Sequence, residues 1–205
     1  MMNSPAAFNG AVLAPWPNRI RDGRWSWRGQ HRQLPITEPA TGSALHGLVN
    51  DVLWQPDSVA ADAVTLSVPI APTAGYPFAL PVSVRWSLSA DGLRQLGAVN
   101  TGAEPAQFGA ATHPFFRLPD ARVDDLDLQL RAGQWLETDS NLLPVALRPT
   151  SGTELDFTEP RSLSDLRPGR VQHRHGSDRA RARDAMVRGL GRSPAARLRI
   201  PGYPD

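Results

Sequence analysis

Apolar and polar residues alternate one by one in several short stretches of the first 160 positions. The clearest case is "LPVSVRWSLSA" at 80–90, where Val82, Val84, Trp86 and Leu88 alternate with Ser83, Arg85, Ser87 and Ser89. A period of two places one set on a buried face and the other in solvent, which predicts a half-buried strand. Asp91-Gly92 follows as a hairpin turn signal, with a return strand expected from about Leu93 to Asn100. In "RWSWRGQHRQLPI" (24–36), Trp25 and Trp27 share one face of a strand. Arg28-Gly29-Gln30 then reads as a turn before a second short strand. Residues 50–57 read as a strand. Residues 62–70, containing the β-branched "AVTLSVPI", read as another. "AQFGAATHPFF" predicts a strand ending at His113-Pro114, because proline cannot donate to a ladder. In "DDLDLQL" (124–130) Leu126, Leu128 and Leu130 fall on one side, and Asp124-Asp125 read as a solvated turn. No stretch before residue 160 carries a capped helical period. The predicted class is all-β, a large antiparallel β-sandwich with sheets packed face to face.

Composition supports that class. The 205 residues include 20 Pro and 17 Gly, which suits many turns. No run of 18 apolar residues exists, so no membrane partner is expected. The opening "MMNSPAAFNG" lacks the pattern of a secretory signal. Cysteine is absent, which excludes disulfides, thiolate metal sites and a cysteine nucleophile. A cytoplasmic location is the expectation.

The net charge of +2 hides a split. Residues 161–205 hold 11 Arg against 4 Asp and Glu, whereas residues 1–160 hold 11 Arg against 16 Asp and Glu. From about residue 167 the alternation stops and apolar content falls. Residues 1–166 are expected to form the sandwich, and 167–205 a basic, poorly ordered tail. A basic tail suits nucleic acid in principle. This one lacks interleaved aromatics and any recognisable motif, so no nucleic-acid partner is expected.

Histidine is the side chain best suited to moving protons near neutral pH. His31 lies among Gln30, Arg32 and Gln33 and reads as part of a solvated turn. His173 and His175 form "HRH" in the tail, with no further metal ligand nearby. His46 and His113 differ, because each sits in a small, apolar setting beside Gly47 or Pro114. Each is open to two readings, a structural hydrogen-bonded histidine or a catalytic one. Arg19, in "LAPWPNRIRDG", is likewise a surface arginine or a ligand-binding one. Neither a Gly-x-Ser-x-Gly elbow nor a phosphate-cradling loop is present.

Four segments together resemble the aldose 1-epimerase (galactose mutarotase) family. They are "GAVLAPWPNRIRDGRWSWRGQHRQLPITEP", "ALHGLVNDVLW", "YPFALPVSVRWSL" and "NTGAEPAQFGAATHPFFRLP", within roughly residues 9–160. The ordered set Asn-Arg, His-Gly and His-Pro-Phe-Phe carries the resemblance. It implies a twisted β-sandwich with a sugar cleft and a hexose of galactose or glucose type as substrate. Asn18 and Arg19 would bind hydroxyls, framed by the proline and tryptophan residues before them. His46 would sit beside the ring, and His113 would protonate the ring oxygen. A carboxylate base would take the anomeric proton, so that ring opening and reclosure exchange the anomers. No cofactor or metal is implied. Trp16, Phe115 and Phe116 are candidates to pack on the sugar, with a core position expected for Phe116.

The resemblance also breaks. Family strands expected before Gly10, and those carrying a sugar-holding aspartate and the glutamate base, have no match here. The tail fits an out-of-frame reading of a GC-rich gene, consistent with 22 basic residues that are all Arg. The expected function is therefore that of an aldose 1-epimerase-type isomerase impaired in this chain. The alternative is a catalytically silent carbohydrate-binding protein.

Overall fold

The computed structural model describes residues 8–89, 105–116, 118 and 121–164, together with the backbone of 92–96, 165, 187–188 and 196–199. The chain divides into two compact units, residues 1–115 and 116–205.

Among the described residues the first unit holds ten strands: β1 (Val12–Leu13), β2 (Arg19–Arg21), β3 (Arg24–Trp27), β4 (Gln30–Gln33), β5 (Ser43–Leu45), β6 (Gln55–Val59), β7 (Ala63–Ile70), β8 (Leu80–Ser89), β9 (Gly92–Leu96) and β10 (Ala111–Thr112). The largest sheet runs β6-β7-β8-β9, antiparallel throughout. Its register puts Leu66 opposite Val84, Val68 opposite Val82 and Ile70 opposite Leu80. These pairs share one face and pack with Val12, Ala14, Leu34, Ala44, Val49 and Tyr76 in a single core. That face supplies the main hydrophobic stabilisation, at about 1.5–3 kcal/mol for each large aliphatic side chain fully buried. Two prolines, Pro69 and Pro81, face each other near the end of the β7–β8 ladder, beyond the last residue that β6 pairs.

The alternation read at 80–90 matches β8, with Leu80, Val82 and Val84 buried. It fails at Leu88, which is 62 % exposed because the core ends at Trp86. Residues 50–54 form a turn rather than a strand, and β6 starts at Gln55. Every residue of β6 is exposed, as suits an edge strand carrying Pro56 and Asp57. His31 lies in β4 opposite Ser26, not in a turn, and it is exposed as expected. The return strand β9 is described over Gly92–Leu96, and its expected continuation to Asn100 lies outside the described residues. The strand expected through "AQFGAATHPFF" shrinks to Ala111–Thr112.

The second unit holds β11 (Asp127–Leu130), β12 (Gln134–Thr138), β13 (Pro144–Pro149), β14 (Arg161–Ser162), β15 (Val187–Arg188) and β16 (Ala196–Arg199). They form two antiparallel sheets, ordered β14-β11-β16 and β13-β12-β15. Leu126, Ala132, Leu143 and Phe157 are buried, and the buried Thr150 hydroxyl donates to the Ala132 carbonyl at 2.7 Å. Asp124 and Asp125 sit in an exposed 3-10 turn. Most of the expected tail, 167–205, lies outside the described residues, His173 and His175 included. Its described residues are the two short strands β15 and β16. Among the described residues, no helix is long and apolar enough to cross a membrane.

Candidate functional site

The segment Gly10–Pro15 organises the site from both sides. On one side it pairs with β10, Val12 opposite Thr112 and Leu13 opposite Ala111. The pairing extends by one step, since the His113 N–H donates to the Ala11 carbonyl at 3.0 Å and the Gly10 N–H to the His113 carbonyl at 2.9 Å. On the other side Ala14 bridges in parallel to Gly47, and the Leu48 N–H donates to the Ala14 carbonyl at 2.7 Å. Two histidines 67 positions apart in the chain are thereby brought together. The rings of His46 and His113 lie edge to face, with centroids 5.8 Å apart. Phe8 meets the His46 ring edge-on at 4.8 Å, and Phe115 stacks on His113 at 5.4 Å.

Gly47 is required for this approach. Its φ is +80°, and a Cβ there would overlap the Ala14 carbonyl. His46 itself has φ +60° and Asn18 has φ +65°. Both occupy the left-handed region, at a cost of about 1 kcal/mol or more each. The strain is met by reciprocal bonds at the end of the β2–β5 ladder. The Asn18 N–H donates to His46 Nδ1 at 3.1 Å, and the His46 N–H donates to the Asn18 carbonyl at 3.0 Å. An Nδ1 that accepts is unprotonated, which assigns the proton of the neutral His46 ring to Nε2. The Asn50 amide donates to the His46 carbonyl at 3.1 Å and braces the same turn.

Arg19 lies one residue from Asn18 and opposite Leu45 in the β2–β5 register. Its Nε and Nη2 donate to the two oxygens of Glu38 at 2.6 and 2.8 Å, and its Nη1 donates to Asn18 Oδ1 at 3.2 Å. The Thr41 hydroxyl also donates to Glu38. Burial works to raise the Glu38 carboxyl. The hydrogen bonds from Arg19 and Thr41 and the positive charge of Arg19 outweigh it, and the pKa falls below its ordinary value of 4.5.

Sequence reasoning singled out Asn18, Arg19, His46, His113 and Phe115. The structure brings Asn18 to His46, His46 to His113 and His113 to Phe115, and joins Arg19 to Asn18. Sequence reasoning missed Glu38, Asn50 and Phe8. Glu38 in "ITEP" carries no period or repeat that marks it, and its pairing with Arg19 spans 19 residues. Trp16 is part of the frame and not of the cluster: its indole N–H donates to the Ala44 carbonyl at 3.2 Å, and its ring packs on the core. Phe116, expected in the core, is 63 % exposed, because it follows the site segment past the last β10 pairing. A depression of about 410 Å³ on the β3–β4 hairpin, lined by Arg24, Trp25, Ser26, His31, Arg32 and Gln33, shares no residue with the histidine cluster. Among the described residues no group of three or more His, Asp or Glu is arranged to hold a metal.

Fold and site together define an all-β protein in which paired imidazoles, an aromatic and a fixed guanidinium gather at the joins between short strands. The chain belongs to the aldose 1-epimerase family, whose model matches residues 2–197. It is similar to the uncharacterized Escherichia coli proteins YihR, at 36 % identity over 78 % of this chain and 53 % of that protein, and YphB, at 31 % identity over 74 % and 50 %. The chain thus spans about half the length of these curated relatives. The fold also matches the crystal structure of a GalM/aldose epimerase homologue from C. elegans. The TM-score is 0.64 at 20 % identity, covering 78 % of this chain and 51 % of the other. The architecture is therefore that of the galactose mutarotase-like β-sandwiches.

Proposed function

We propose that the His46–His113 cluster binds a hexose of galactose or glucose type and assists the exchange of its anomers by ring opening. The observation that supports this most is the edge-to-face contact of the two imidazoles, held by backbone bonds on both sides of one segment. His113, in its protonated form, donates to the ring oxygen as the bond from the anomeric carbon to that oxygen breaks. A base takes the proton of the anomeric hydroxyl, leaving the open aldehyde. Rotation about the bond to that carbon and reclosure give the other anomer, as His113 recovers its proton from the former ring oxygen and the base returns its own to the anomeric oxygen. His46 offers its Nε2–H to a sugar oxygen and holds the ring in place. Asn18 and Arg19 bind hydroxyls, and Phe115 covers an apolar face of the pyranose beside His113.

Acid and base must act on opposite sides of the same sugar. Glu38, the carboxylate beside Arg19, is unsuited to the base role, because a carboxyl lowered by its partners is a weak proton acceptor. With water taken as the base, acceleration is modest while binding persists. The second reading, a carbohydrate-binding protein without catalysis, shares this geometry and differs in the rate alone. Polarimetry of freshly dissolved α-galactose and α-glucose separates them. A small protein-dependent rate is expected, which His113→Asn should cut by about 100-fold or more. An equal rate in that variant excludes His113 as the acid, and sugar binding with no acceleration establishes the silent reading.

A further inference from the structure

We infer that Glu38 is a positioning residue: it fixes the Arg19 guanidinium so that two remaining N–H groups meet two adjacent hydroxyls of the sugar. The inference rests on the hexose reading above and adds to it a specificity device. Arginine has five N–H donors in a rigid plane. Three of them are engaged, two by Glu38 in a side-on fork and one by Asn18 Oδ1, which leaves two without a partner among the described residues. The Arg19 side chain is only 8 % exposed and that of Glu38 23 %, so the pair is set into the molecule rather than lying loose on its surface. A fork of this kind fixes the plane of the guanidinium as well as its distance.

Glu38 is itself held. The Glu38 N–H donates to the Ser43 carbonyl at 3.0 Å, and the Ser43 N–H donates to the Glu38 carbonyl at 3.2 Å. The Thr41 hydroxyl adds a bond to the carboxylate. This closed turn leads directly into β5, which pairs with the strand that carries Arg19. The turn from 38 to 43 is therefore a brace built against the arginine it orients. Two N–H groups fixed on one guanidinium suit a vicinal diol, the unit a hexose presents repeatedly.

The test combines NMR of the arginine side chain with sugar binding, on the chain as it stands. The Arg19 Nε–H signal, assigned by its loss in Arg19→Lys, should exchange slowly with solvent and should move or vanish in Glu38→Gln. The galactose dissociation constant should rise about tenfold in Glu38→Gln. In the unaltered chain, a galactose lacking one of the paired hydroxyls should bind about tenfold more weakly. In Glu38→Gln that preference should collapse towards one. Thr41→Val, which keeps the carboxylate, should weaken binding less than Glu38→Gln and guards against a folding defect in the latter. Sugar binding and hydroxyl preference that ignore Glu38 overturn this inference alone. A Glu38-dependent Nε–H signal in a chain that binds no sugar overturns the hexose reading, and the orienting role with it.

Discussion

Glu38 shows how one carboxyl can be pulled in two directions by its surroundings. Burial raises its pKa, while Arg19 and Thr41 lower it further, so the folded value lies below 4.5. A depressed folded pKa stabilises the protein above the unfolded value and ceases to do so as pH falls through the folded one. Glu38 therefore steepens the loss of stability below about pH 4.5. Glu38→Gln should cost about 1–2 kcal/mol at pH 7, in the range of one charge-assisted hydrogen bond. It should also flatten the acid limb of a melting-temperature profile, and an unchanged limb would show that the pair contributes nothing to folding. Arg19, His46 and His113 were legible in the sequence because each sits in a short, distinctive motif. Glu38 was not, since a lone acid between Thr37 and Pro39 is indistinguishable from a solvated one until β2 and β5 pair.

At the scale of elements, the site depends on a join between strands that is too short to show a period. Gly47 is the residue on which that join turns. Gly47→Ala should destabilise by about 3 kcal/mol, combining a left-handed backbone with a collision against the Ala14 carbonyl. Gly29→Ala provides the control. Its φ is also positive, at +76°, but nothing lies within 4 Å of the added methyl, so about 1 kcal/mol is expected. Denaturant unfolding of both variants isolates the collision from the backbone term, and equal losses would place the cost in φ alone. The contrast explains what pattern reading could find. β7 and β8 are long and pack against one core, so β-branched content revealed the first and period two the second. The stretch before His113 is drawn off the ladder, because the Gly109 N–H donates to the Pro15 carbonyl at 2.7 Å and the Tyr76 hydroxyl donates to the Gln107 carbonyl at 2.7 Å. Those long-range bonds have no local signature.

For the molecule as a whole, family membership and all-β architecture are established, and residues 8–115 contain every side chain proposed to touch the sugar. The resemblance in the sequence reached the fold class because its motifs are spread across much of that unit. The central claim is that two imidazoles remote in sequence serve one hexose. The most direct measurement follows the ring nitrogens of the five histidines by NMR while galactose or glucose is added. His46 and His113 should shift together, with one shared dissociation constant, while His31 on its exposed strand stays still. Sugar binding that leaves both rings unmoved, or moves them with different constants, would contradict it.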